Sequence, residues 1–189
     1  MEHTRNKTIR KSYSIPEELA LLLEREADHR DTSSSTLLTQ LIKKGLVFDL
    51  PLSKIGVVTI PGPCFQAMIE KMRLEELEEL AREQALRNFG IMLSTFHGKM
   101  DLLSIVSTYY EKFSKYSGWY TFKHEIDEET HRFVFEHTRG LKWSRYLAEY
   151  NHVILDKLSE KIDFQIDNNL VIFNVIPRQK KTTISYRHY

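Results

Sequence analysis

The sequence predicts a mixed α and β chain in two parts. A strand followed by two short helices occupies residues 1–48, a larger α+β domain occupies 49–177, and a basic tail runs over 178–189. Three observations predict this. Residues Thr8 to Ile15 alternate with a period of two, two leucine-rich segments follow at intervals of three and four, and strand-like and helix-like patterns alternate beyond Asp49.

In the first segment Ile9, Lys11, Tyr13 and Ile15 share one face of an extended chain, and Thr8, Arg10, Ser12 and Ser14 share the other. Pro16 stops a ladder and suits the opening of a helix, and Glu17 and Glu18 fall where the helix N-terminus favours negative charge. The helix predicted over Pro16 to His29 places Leu19, Leu22, Leu23 and Ala27 on one stripe. Asp31-Thr32-Ser33-Ser34-Ser35 is a polar break with capping hydroxyls, after which Leu37, Leu38, Leu41, Ile42 and Leu46 form a second stripe ending near Gly45. A unit this small builds a poor core, and a lone strand leaves an open edge, so pairing with a second copy is expected.

The segments KTIRKSYSIPEEL and SSSTLLTQLIKKGL, within about Lys7 to Val47, resemble the ribbon-helix-helix superfamily of DNA-binding regulators. The resemblance implies a dimeric βαα head whose two strands pair antiparallel and enter the major groove. By position it implies base contacts from Arg10, Ser12 and Ser14, and phosphate contacts from Ser33, Ser34 and Ser35 at the second helix's start, with Arg5 and Lys7 extending the basic arm. Lys11 departs from the family pattern, which usually has an apolar residue there. The chemistry agrees: arginine grips guanine bidentately, and a helix N-terminus holds phosphate, although the same serines equally serve as plain caps.

In the second domain, Lys54 to Ile60 reads as a strand broken by Pro61-Gly62-Pro63. Helices are predicted from about Phe65 to Asn88, with a bend near Arg73, and from about Asp101 to Lys115. Trp119 to Glu125 and Arg132 to Glu136 alternate as a hairpin, Trp143 to Leu158 is helical, and Ile162 to Ile166 and Leu170 to Ile176 flank the turn residues Asn168-Asn169. This order suits an antiparallel or mixed sheet with helices on one face, close to a ferredoxin-like sandwich with an extra strand. The outline is similar to that of the nickel-responsive repressors of the same superfamily, but their histidine and cysteine metal motif is absent.

Candidate chemistry is sparse. His124, His131 and His137 sit where a hairpin and its exit can gather imidazoles for a transition metal, or are surface or hydrogen-bonded histidines. The aromatic residues from Tyr109 to Phe122 line an effector pocket, form a dimer surface or pack into the core. Glu136-His137 and the one cysteine, Cys64, invite an enzyme reading, yet no nucleophile, phosphate-loop or dinucleotide motif accompanies them, so no enzyme and no cofactor are expected. An effector, small molecule or metal, is left open.

Formal net charge is only +1, but both ends are basic, which favours nucleic acid over the total. No apolar run is long enough for a membrane span, and MEHTRNKTIRK lacks a signal-peptide core, so a cytoplasmic location without membrane contact is expected. The functional expectation is a sequence-specific DNA-binding transcriptional regulator acting as a homodimer, possibly a tetramer. The alternatives are an antitoxin-like protein-binding regulator and a metal-responsive repressor using the second domain's histidines.

Overall fold

The computed structural model describes residues 9–178, which form two compact units divided between Leu46 and Val47. Arg5, Lys7 and all of the basic tail except Arg178 lie outside the described residues.

Unit 1 holds two helices, α1 (Glu17–His29) and α2 (Ser34–Lys44). Both bounds follow from local chemistry. Pro16 caps α1 by its carbonyl, which accepts from the Leu19 and Ala20 amides at 3.1 and 3.2 Å. The helix closes by a Schellman turn in which Thr32 N–H donates to the Ala27 carbonyl at 3.0 Å and Asp31 N–H to that of Asp28 at 3.2 Å. Asp31 takes φ 48°, a conformation that aspartate tolerates better than most residues. Ser33 then caps α2, its hydroxyl oxygen accepting from the Thr36 amide at 3.2 Å.

The expected N-terminal strand is not there. Residues Ile9 to Ile15 join no ladder, and Ile9, Tyr13 and Ile15, which were to be the buried face, are exposed. A strand exists only where its backbone groups find a partner strand, and none lies beside this segment among the described residues. The described N-terminal region is mostly helical between residues 17 and 116 and has no strand, so the short βαα ribbon-helix-helix motif and the family resemblance built on it do not hold.

Unit 2 begins with a π-helical turn (Gly45–Asp49, shared across the boundary) and continues through α3 (Leu50–Ser53), α4 (Gly62–Lys71) and α5 (Leu74–Thr95). The strand expected over Lys54 to Ile60 is also absent. The amides of Lys54, Ile55 and Gly56 instead donate back to the Pro51, Leu52 and Ser53 carbonyls, tightening the end of α3, and Val57 to Ile60 pair with nothing. The expected bend near Arg73 is the break between α4 and α5, where the Glu76 carboxylate accepts from the Arg73 amide at 3.3 Å and from its Nε at 3.0 Å. Then come α6 (Leu102–Ile105), a second π-helical turn (Val106–Tyr110) and α7 (Glu111–Tyr116).

The remainder is β1 (Thr121–Asp127), β2 (Thr130–Glu136), α8 (Gly140–Asp156), β3 (Ser159–Asp167) and β4 (Leu170–Pro177). Both hairpins fall where alternation predicts them. The strands make one open antiparallel sheet in the order β1-β2-β4-β3. It is not a ferredoxin-like sandwich: without the strand at 54–60 the sheet has no member from before the helical region, and two hairpins joined through α8 leave it open in the order β1-β2-β4-β3.

Register sets the core. Phe122 lies opposite Phe135 and that residue opposite Val171, while Phe133 lies opposite Phe173, which pairs with Phe164, so one face is almost wholly aromatic and apolar. The other face carries Lys123, Glu125, Arg132 and Asp163, all exposed. Helix α8 packs against β3 and β4 and against α5. Its wide apolar face buries Trp143, Leu147, Tyr150 and Ile154 among others, while Lys142, Arg145 and Glu149 lie on its polar side. From α5 it meets Leu77, Ala81, Ala85, Phe89 and Leu93, a ridge repeating every four residues whose two alanines allow close approach. Arg82 to Glu149 at 2.8 Å ties the same pair at its polar edge.

Candidate functional site

Four places in the two units carry chemistry or unsatisfied surface. The first is the outside of unit 1. Its helices bury only Ala27 and Leu37, whereas Leu19 and Leu22 on α1 and Leu41 and Ile42 on α2 are each about half exposed. Leu38, Leu41 and Ile42 stand at the i, i+3, i+4 spacing of one helix face. Of the residues assigned to DNA, Arg10, Ser12 and Ser14 are exposed on the unpaired segment, Ser33 is engaged as the α2 cap, and Ser35 is exposed. Ser34 is half-buried in the first turn.

The second place is the β1–β2 hairpin, where His124 Nε2 lies 3.0 Å from His131 Nδ1. The His124 ring stacks on Phe133 at 4.8 Å and on His131 at 5.0 Å, whereas His131 lies tilted to Phe133 at 6.2 Å. Burial lowers both pKa values, and His131 lowers that of His124 further. His137 is at the opposite end of β2, so the structure gathers two of the three histidines, and among the described residues no cluster of three potential metal ligands forms.

An open groove of about 440 Å³ lies beside His131, floored by Leu102, Leu158 and Pro177. Its polar rim is largely spoken for. Asp101 caps the Ser104 amide at 2.9 Å, and the Arg178 guanidinium donates to the carbonyls of Ser159 and Asp156 at 2.7 and 3.4 Å. Arg178 therefore works as a cap for the end of α8, and Lys157 is the other cation among the described lining residues.

The third place pairs His137 with Ser144, which lie 2.9 Å apart with Ser144 fully buried. The pair resembles the start of a nucleophilic dyad, and its hydrogen bonds assign it another task. Arg139 N–H donates to His137 Nδ1 at 3.1 Å, so the proton of the neutral ring sits on Nε2 and points at Ser144. Ser144 in turn donates to the Asn168 carbonyl at 3.1 Å. An imidazole already protonated toward the serine cannot take the serine's proton. Together with Gly140 N–H donating to Asn169 Oδ1 at 2.9 Å, these bonds latch the start of α8 to the β3–β4 turn. Cys64 is exposed on α4, and no hydrogen bond joins it to His137 or Glu136, whose carboxylate instead meets Lys123 at 3.0 Å.

Burial, then Arg139, lowers the His137 pKa to about 4. The folded state thus holds the ring neutral where an unfolded chain, with an ordinary value near ~6.5, would protonate it. Stability is complete above about pH 6.5 and falls as pH drops toward 4, because the unfolded state binds the extra proton in that window. For a ring still partly open to solvent the loss at pH 4 is about 1–2 kcal/mol after screening. Urea unfolding should show lower stability at pH 5 than at pH 7.5, and His137→Gln should flatten that difference; a slope unchanged by the substitution refutes the assignment.

The fourth place is the aromatic segment from Tyr109 to Phe122. It is core: Tyr109, Tyr110, Phe113 and Tyr120 are buried, and Tyr116, Trp119 and Phe122 pack against them. Sequence reading missed Ser144, Asn168, Tyr146 and Tyr150 as members of these groups, because each joins its partners only through the tertiary fold.

No family model, no curated protein and no solved structure matches this chain. The residues that were to form the paired ribbon make no strand, so the expectation of a homodimeric, sequence-specific DNA-binding repressor does not stand. The antitoxin-like and metal-responsive alternatives, which rested on the same head, fall with it. Among the described residues no helix is long and apolar enough to cross a membrane.

Proposed function

We propose that the chain acts by binding rather than catalysis, with unit 1 serving as a docking module for an α-helical polypeptide. The observation that carries this reading is the imbalance in unit 1: two buried side chains against ten large apolar ones exposed between Ile9 and Leu46. Covering the open half of each leucine is worth roughly 1 kcal/mol. The spacing of Leu38, Leu41 and Ile42 is that by which one amphipathic helix lies along another. A lipid surface suits this face poorly, since membrane-lying helices carry lysine and arginine on their polar side whereas α1 carries Glu17, Glu18, Glu24, Glu26 and Asp28. Phosphates suit it no better, because exposed leucines give them nothing to bind.

Hydrogen exchange tests the reading. In the purified chain at low concentration, the amides of α1 and α2 should exchange far faster than those of α8, since few apolar contacts hold them. Protection in α1 and α2 equal to that in α8 would mean that unit 1 needs no cover.

A further inference from the structure

The core of unit 2 buries five tyrosines, of which Tyr109, Tyr110, Tyr120 and Tyr150 come from three separate segments. The π-helical turn Val106–Tyr110 supplies Tyr109 and Tyr110, neighbours that an α-helix would turn about 100° apart but that are both buried here. Tyr120 precedes β1, and Tyr150 comes from α8. Tyr110 and Tyr120 both stand edge-on to Phe135, at 5.1 and 5.0 Å, and Tyr109 lies 5.5 Å from Tyr110. Tyr109 bonds Tyr150 hydroxyl to hydroxyl at 3.3 Å, whereas the hydroxyls of Tyr110 and Tyr120 are buried without a partner.

Two orphaned hydroxyls beside a third and fourth that are only singly bonded make an unusual core, because a buried hydroxyl without a partner costs about as much as a lost hydrogen bond. We propose that Tyr109, Tyr110, Tyr120 and Tyr150 enclose an internal hydration site, in which water bridges the Tyr110 and Tyr120 hydroxyls to the Tyr109–Tyr150 pair. Such a site offers a water two to four polar partners, the number that buried waters use. An anion does not fit, since no cationic side chain belongs to the cluster to offset its burial. The phenols also stay protonated: burial raises Tyr109, Tyr110 and Tyr120 well above their ordinary value, and each feels the charge its neighbours would carry, as groups that face one another do. A neutral guest that both donates and accepts matches four neutral hydroxyls.

The sign of one substitution separates a watered hydroxyl from an orphan. If water bridges them, Tyr110→Phe and Tyr120→Phe each strip a bonded hydroxyl and lower Tm by roughly 2–4 °C. If the hydroxyls are orphans, removing them relieves a penalty and Tm holds or rises, which overturns the proposal. Water-to-protein cross-relaxation on the unsubstituted chain reads the same point without any variant. Long-lived water contacts at the Tyr110 and Tyr120 hydroxyl protons are required, and their absence overturns the proposal even where Tm falls.

Discussion

Replacing Trp143 with alanine should lower the stability of unit 2 by about 3–5 kcal/mol, the largest effect of any single truncation in this fold. Trp143 is 2% exposed at the junction of α8 with α4 and the segment before β1. Its ring stacks on Tyr146 at 4.7 Å and meets Phe65 and Trp119 edge-on at 5.0 and 5.5 Å. Its indole N–H donates to the Trp119 carbonyl at 3.2 Å, so truncation leaves a cavity and removes that carbonyl's partner as well. The urea midpoint, read from the remaining Trp119 fluorescence, should fall by about 2 M with little change in slope. Leu86→Ala is the control: that side chain is 61% exposed on α5, and its loss should stay within about 0.5 kcal/mol. A Trp143→Ala loss under about 1 kcal/mol would mean that α8 is not the centre of the core.

Trp143 also shows what was legible in the sequence. Helix α8, the bend at Arg73 and both hairpins could be read because their signals are local: a three-to-four spacing, a break between stripes, and alternation either side of a turn. The two strands that failed did so for different reasons. Lys54 to Ile60 is rich in β-branched residues, yet its first amides are taken by the end of α3. Ile9 to Ile15 alternates well, yet alternation describes faces and says nothing about whether a partner strand is present. The family resemblance needed that strand beside the two helices, and the function leaned on the resemblance. Sites assembled across distance, such as His137 with Ser144 or Tyr109 with Tyr150, leave no signal in spacing.

The second large effect concerns unit 1. The double substitution Leu22→Glu with Ile42→Glu should weaken the complex between this chain and the polypeptide that covers it by at least two decades. Each glutamate would be carried into an apolar contact without a partner, a cost of about 3 kcal/mol or more, and every ~1.4 kcal/mol is tenfold in affinity. Both positions are about half exposed in the chain alone, so the substitutions should cost little there, and the melting of unit 2, a separate compact unit, should not move. Titration of the isolated complex by sedimentation would read the affinity. Unchanged binding would place the contact elsewhere.

The central claim, that another polypeptide occupies the apolar face of unit 1, is tested most directly by a photoreactive side chain installed at Ile42 and illuminated in living cells, with the same group at Asp163 on the exposed face of the sheet as reference. The account predicts a discrete polypeptide adduct at position 42 that is missing at position 163. Adducts to lipid or nucleic acid at position 42, equal polypeptide labelling at both positions, or no adduct at position 42 would contradict it.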